Sequence, residues 1–223
     1  MTDDRTARAR IRDAALQRFA DDGPGASVRG IAAEAGVSPA LVMHHFGSKE
    51  TLRHACDEYI AATIRDRKRA AMAAGPGFDP VAALREAGDG PPLMRYLART
   101  LVEGSQRSAA LVDEMVDDAV RYMAEGVQTG VLRPTAYPRE RAALLTLWSL
   151  GALVLHEHAE RLLGVELTGP PEKLAEAASY FAPALEIFSD GLLSDEAAST
   201  FRSTFGHHGD VTGPHNRDKE TGS

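Results

Sequence analysis

The segment from Ser27 to Phe46 constrains this chain more than any other, because two short apolar-periodic stretches meet there at Ala35-Gly36-Val37-Ser38. Ser27 can accept a hydrogen bond from the unpaired amides that open a helix. Val28, Ile31, Ala32 and Ala35 follow at i, i+3, i+4 and i+7, which gathers them on one buried face. Gly36 stands where the chain must leave that helix in a left-handed conformation, which glycine reaches without a Cβ clash. Val37 is apolar and plugs the corner. Ser38 caps a second helix, and Pro39 occupies its first position, where a missing N–H costs nothing. Val42 and Phe46, four apart, face inward. A helix, a glycine turn and a second capped helix make a helix-turn-helix.

The second helix has another face, carrying Pro39, Ala40, Met43 and His44, and it is short enough to enter a major groove end-on. Gly47-Ser48-Lys49-Glu50 then opens a further helix with Ser48 as its cap. Its free amides and Lys49 suit a phosphate oxygen, as do Arg29 and the Ser27 hydroxyl. A bare helical corner would show the same turn, so the turn alone leaves both readings open.

The net charge of −7 runs against nucleic-acid binding until it is divided along the chain. Residues 1–75 carry 12 Lys and Arg against 10 Asp and Glu, net +2, while residues 76–223 carry 13 against 22, net −9. Two regions with different partners are expected, and the acidic second region disfavours a ligand-independent architectural DNA binder. A single cysteine excludes an internal disulfide framework and a Cys-based zinc cluster. The opening Met1-Thr2-Asp3-Asp4-Arg5 lacks a signal-peptide pattern. The longest apolar run, Ala142 to Leu155, is short of the ~20 residues that span a bilayer. These features predict a soluble protein of a reducing, cytoplasmic compartment. No nucleophile elbow, phosphate loop or metal-ligand spacing is present, so an enzyme acting on a small apolar molecule is the weaker alternative, and no cofactor or metal is expected.

Ala35-Gly36-Val37-Ser38 followed by His44-His45-Phe46-Gly47-Ser48-Lys49-Glu50-Thr51-Leu52 resembles the TetR (tetracycline-repressor) family of bacterial transcriptional regulators. The match begins near Arg10-Ile11-Arg12-Asp13-Ala14-Ala15 and passes through Phe19, about the first quarter of the chain. The resemblance implies a three-helix DNA-binding domain followed by an all-helical domain that binds an effector and dimerises. Two positions depart from the pattern. Met43 stands where the family usually has a tyrosine hydroxyl for a phosphate. Gly30 lies inside the first motif helix, where it costs roughly 0.5–1 kcal/mol relative to alanine. With Pro39 and Ala40 lacking donors, direct base hydrogen bonding falls mainly to His44, and readout is partly through methyl contacts and DNA shape.

Apolar spacing at i, i+3 and i+4 recurs throughout, so the fold class is all-α. Helices are expected at roughly 5–21, in three segments between 27 and about 73, and at 80–87, 92–104, 108–126, 138–163, 172–190 and 194–205. Gly75-Pro76-Gly77 breaks the two regions apart. The organisation expected is a helix-turn-helix domain at 1–50, an effector-binding and dimerisation domain at 51–205 and a disordered tail at 206–223. The helix over 138–163 is apolar almost all round from Ala142 to Leu155. Its own domain covers one side, and a partner subunit, with the helix at 172–190 beside it, covers the other in a four-helix contact. A single closed bundle is the monomeric alternative. Dimerisation fits DNA logic, because two recognition helices about 34–36 Å apart read a palindrome.

The resemblance further implies a pocket for a small, largely apolar effector, and Met94, Tyr96, Met115, Tyr122, Met123, Leu145 and Trp148 are adaptable apolar candidates to line it. At helical spacing the same residues are also ordinary core. Arg65, Arg67, Lys68 and Arg69 read as a solvated face, and His156, Glu157, His158 and Glu160 as the solvated C-terminal end of the buried helix. Cys56 reads as a small buried hydrophobe. The function expected is a ligand-responsive repressor that holds a palindromic operator as a homodimer.

Overall fold

The computed structural model describes residues 2–79, 82, 92–170, 173, 178–189 and 191–205. Among these residues every regular element is helical. The helix expected over 80–87, part of the one over 172–190 and the tail from 206 lie outside the described residues. The chain divides into two compact units, residues 1–179 and 180–223.

Helix α1, Thr2–Asp22, buries Ile11, Ala15, Leu16 and Phe19 on one side and stops at the Gly23-Pro24-Gly25 turn. Helices α2 (Val28–Glu34) and α3 (Pro39–Phe46) form the corner. Helix α4, Lys49–Ala73, buries Leu52, Cys56, Ile60 and Ala61. Four more helices among the described residues lie wholly in the first unit: α5 (Leu93–Val102), α6 (Gln106–Gln128), α7 (Pro138–Val154) and α8 (His156–Leu163). One apolar cluster runs from Ile11 and Phe19 through Val42, Phe46, Leu52 and Ile60 to Leu97, Leu111 and Leu150. The corner therefore shares its core with the helices that follow it. A smaller cluster gathers Ala119, Met123 and Ala142, with Tyr122 and Leu145 against it.

Helix α4 belongs to both regions. Its first half packs on α1, where the Cys56 thiol donates to the Arg12 carbonyl at 3.8 Å and the Arg12 guanidinium lies 3.5 Å from the centre of the Tyr59 ring. Its second half meets α6 through Arg65 and Asp118 at 3.6 Å and Arg69 and Glu125 at 2.9 Å. The expectation of a purely solvated basic face over 65–69 is thus corrected for two of its four cations, because carboxylates on α6 lie within their reach. Helix α5 grips the end of α1: Arg99 donates to the carbonyls of Ala20 at 3.0 Å and Asp21 at 2.8 Å, and Arg95 pairs with Asp21. Carbonyls in a helix's last turn lack intrahelical partners, so a guanidinium there satisfies acceptors that would otherwise need water.

The helix expected over 138–163 is two helices. Leu155 leaves helical geometry, accepting from His158 and Ala159 while its own amide still donates to Gly151. His156 therefore opens α8 rather than closing a long helix, which removes the favourable C-terminal placement expected for its imidazole. On α7, Leu144, Leu147 and Trp148 are 52%, 55% and 57% exposed within the chain.

The second unit contains most of α9 (Ala178–Ser189), which has Pro183 in its interior, and α10 (Asp195–Phe205). Leu185, Phe188 and Leu192 of this unit are exposed. No helix among the described residues is long and apolar enough to cross a membrane.

Candidate nucleic-acid interface

The corner is built from local signals. The Ser27 hydroxyl accepts from the Gly30 amide at 3.0 Å, so a donor that opens α2 is satisfied by its cap. At the other end Gly36 takes φ +65°, and two reverse hydrogen bonds close the turn: Val37 N–H to Ala32 at 2.9 Å and Gly36 N–H to Ala33 at 3.2 Å. That pairing is the Schellman termination, and it needs a left-handed residue at this position. The Ser38 hydroxyl accepts from Leu41 at 3.2 Å and Pro39 fills the first position of α3. Val42 and Phe46 are buried, Val37 is half-buried against the core, and Pro39, Ala40, Met43 and His44 are exposed together. Met43 is 44% exposed, so its thioether is presented outward rather than packed. The Ser48 hydroxyl accepts from Thr51 at 3.0 Å and opens α4.

Two of the expected phosphate-binding side chains differ in their surroundings. Arg29 is exposed and its side chain makes no hydrogen bond among the described residues. Lys49 instead donates to the carbonyls of Pro24 at 2.9 Å and Ala26 at 3.4 Å, tying the start of α4 to the turn after α1. Sequence reading missed Arg8, which donates to the His45 carbonyl at 2.8 Å and lies 4.5 Å from the centre of the Phe46 ring. It fastens the C-terminal end of α3 to α1. The available signal was its position on α1, three residues before Ile11 and four before Arg12, at the edge of the apolar stripe.

Behind the corner lies a buried polar joint, also missed. The Tyr96 hydroxyl of α5 donates to Asp57 of α4 at 2.6 Å, and Arg107 of α6 stands 3.2 Å from the other Asp57 oxygen. Glu103 pairs with Arg53 and approaches Arg107 at 3.7 Å, and the Arg53 guanidinium lies 5.5 Å from the centre of the Phe19 ring. Asp57 is 4% and Tyr96 1% exposed. Burial holds the Asp57 carboxyl above the usual range, against the pull of Tyr96, Arg107 and Arg53. Burial and the neighbouring Asp57 push the Tyr96 hydroxyl up as well. Burial, with Asp57 adding to it, pushes the Cys56 thiol up to about 12, which keeps it an unreactive thiol at neutral pH.

The seven side chains put forward for an effector pocket sit in three packing environments. Tyr96 and Met115 belong to the large cluster with Met94 against it, whereas Met123, Tyr122 and Leu145 form part of the smaller one. Trp148 faces outward with Leu144 and Leu147. No group of three or more His, Cys, Asp and Glu among the described residues could hold a metal ion.

Residues 11–56 match the family described as bacterial regulatory proteins, tetR family, and residues 89–194 match the tetracyclin repressor-like C-terminal domain. The chain is 39% identical over 199 residues to the HTH-type transcriptional regulatory protein RaaS of Mycobacterium tuberculosis, an alignment covering 87% of this chain and 90% of that protein. The chain belongs to the TetR family. It is accordingly a DNA-binding transcriptional regulator, of a family whose members are regulators and not enzymes. A second relative, the HTH-type transcriptional regulator BetI of Rhizobium meliloti, is 46% identical over 68 residues, 30% of this chain and 34% of that one. The solved structure of a TetR transcriptional regulator from Chloroflexus aurantiacus shares the fold, with a TM-score of 0.51 at 21% identity, over 85% of this chain and 98% of that one. The alignment with RaaS spans most of the chain, whereas that with BetI is confined to 68 residues.

Proposed function

We propose that this TetR-family chain is a cytoplasmic, non-enzymatic repressor that holds a palindromic operator as a homodimer and is released by a small, largely apolar effector. The observation that carries the DNA half is the outward face of α3: Pro39, Ala40, Met43 and His44 stand exposed on a helix capped by Ser38 and pinned at its far end by Arg8. In this reading His44 hydrogen-bonds base edges, and Met43, Ala40 and Pro39 supply apolar contacts such as those to a thymine methyl. Ser27, Ser38 and Arg29 contact phosphates. Lys49 contributes positive charge at the turn and releases a backbone carbonyl if it reaches a phosphate directly. Residues 1–50 carry this activity, and residues 51–205 carry effector binding and dimerisation.

The dimer rests on α7, whose exposed Leu144, Leu147 and Trp148 form an apolar row that a second copy would take out of water. Effector contact falls to Met94, Tyr96, Met115, Tyr122, Met123, Leu145 and Trp148 of the second region. The joint between Tyr96, Asp57 and Arg107 gives such a ligand a physical route to α4 and so to α3. Ligand and operator then oppose each other's binding reciprocally.

The test is fluorescence anisotropy of the full chain on the DNA upstream of its own gene, beside a scrambled duplex, with sedimentation to count subunits. Tight binding to the upstream DNA by two subunits, weakened by His44→Ala, supports the reading. Equal weak binding to both duplexes, or binding by a monomer, defeats it.

A further inference from the structure

The corner is joined covalently to the helices behind it through α4, and α5 fastens it a second time at the end of α1. One terminal nitrogen of Arg99 donates to the carbonyls of both Ala20 and Asp21, in the last turn of α1, where carbonyls lack intrahelical partners. Arg95, one turn earlier on α5, pairs with Asp21. The Phe19 and Tyr96 rings stand 6.3 Å apart between the same two helices, and Leu16 and Leu97 are buried in the cluster they share. Gly23, the residue after α1, fits this contact. It is buried at φ +67°, and a Cβ there would stand 3.0 Å from Nε of Arg99. A side chain at Gly23 would be strained at this φ and would press on the guanidinium. Arg8 in turn ties α1 to the end of α3, through the His45 carbonyl at 2.8 Å. A domain held by one helix can turn about that helix's axis, whereas a contact with a second helix opposes the rotation. Arg95 and Arg99 lie outside the face of α3 assigned above to bases, so their effect on DNA passes through α1.

We propose that Arg99 is a positioning residue for operator binding: through the end of α1 it fixes the orientation of the helix-turn-helix on the dimerising region, and with it the separation at which two recognition helices meet DNA. Arg95 reinforces this hold and Gly23 leaves it room. The proposal rests on the dimeric DNA-binding reading above.

The experiment measures the affinity of the full chain for two fluorescent duplexes: its own upstream DNA, and the same DNA with one base pair inserted midway between the two footprinted half-sites. The insertion moves the half-sites about 3.4 Å apart and turns them by about 35°. The wild-type chain should prefer the native spacing. Arg99→Met should narrow that preference by about tenfold, the order that hydrogen bonds from a charged donor contribute to an equilibrium constant. Arg99→Lys, which keeps the charge and a donor, should restore part of it, and Arg95→Gln should narrow it less than Arg99→Met does. A variant that is merely destabilised loses affinity for both duplexes by the same factor and keeps the ratio. If Arg99→Met keeps the wild-type ratio, the proposal is overturned and the DNA-binding reading stands. A narrowed ratio accompanied by a shallower salt dependence on the native duplex also overturns it, because Arg99 is then a phosphate contact. If the wild-type chain binds neither duplex, or binds both alike, the dimeric reading and this proposal fall together.

Discussion

Removing one oxygen tests the joint between the corner and the helices behind it. In Tyr96→Phe the ring stays in its 1%-exposed site and only the hydroxyl that donates to Asp57 at 2.6 Å is lost. Asp57 keeps Arg107 at 3.2 Å on its other oxygen, so its charge is still matched, but the first oxygen loses its donor. A hydrogen bond to a charged acceptor contributes about 1.5–3 kcal/mol, which sets the loss at about 2 kcal/mol. For a chain of this size each kcal/mol moves the melting temperature by about 2–4 °C, so the variant should melt about 4–8 °C lower at neutral pH. The hydroxyl also lowers the Asp57 pKa, so its loss leaves the carboxyl higher still. At a pH acid enough to protonate Asp57 in the folded protein, the contact becomes a neutral hydrogen bond of about 1 kcal/mol, and the deficit should shrink by about half. Thermal unfolding followed by circular dichroism, at one fixed protein concentration because association shifts the midpoint, measures both. A midpoint unchanged at neutral pH, or a deficit that grows in acid, refutes the assigned hydrogen bond.

Other substitutions separate the remaining claims. Gly36→Ala places a Cβ in open space but at φ +65°, so it should cost about 1 kcal/mol from backbone conformation alone, read as a lower denaturant midpoint with an unchanged m-value. Asp57 has its folded pKa raised above the ordinary 3.8, so the folded state holds the proton longer than the unfolded one. Its contribution to stability is then greatest in acid and falls as pH rises through the raised value, and Asp57→Asn should lack this decline in a pH series of melts. Lys49→Met should lower both melting temperature and DNA affinity, since Lys49 ties Pro24 and Ala26 to α4, whereas Arg29→Gln should lower affinity alone. Leu147→Glu on the exposed row of α7 should shift the sedimenting species from two subunits to one.

The corner was legible because everything that makes it is encoded within a few residues. Ser27 and Ser38 act on amides three positions away, and Gly36 satisfies a backbone requirement of its own. The same holds for the all-helical class and for the inward placement of Val42 and Phe46. What the sequence did not disclose depends on distant partners. Arg99 reaches carbonyls 78 and 79 positions earlier, Asp57 finds Tyr96 and Arg107, and Lys49 turns back to Pro24. A cation's spacing on its own helix says nothing of which acceptor the fold brings to it, which is why Lys49 read as a simple phosphate ligand and Arg65 and Arg69 as solvated charge. The break at Leu155 escaped notice because no glycine or proline marks it. The candidate effector residues share only their type, and a methionine or aromatic residue at helical spacing packs into a core as readily as it lines a pocket.

The most direct test of the central claim is a hydroxyl-radical footprint of the full chain on the DNA upstream of its own gene. Two similar protected patches centred one helical turn or a multiple of it apart, about 34–36 Å for one turn, with both patches weakened by His44→Ala, are the predicted result. A single unrepeated patch, or protection indifferent to the outer face of α3, would contradict a dimer that reads a palindrome through that helix.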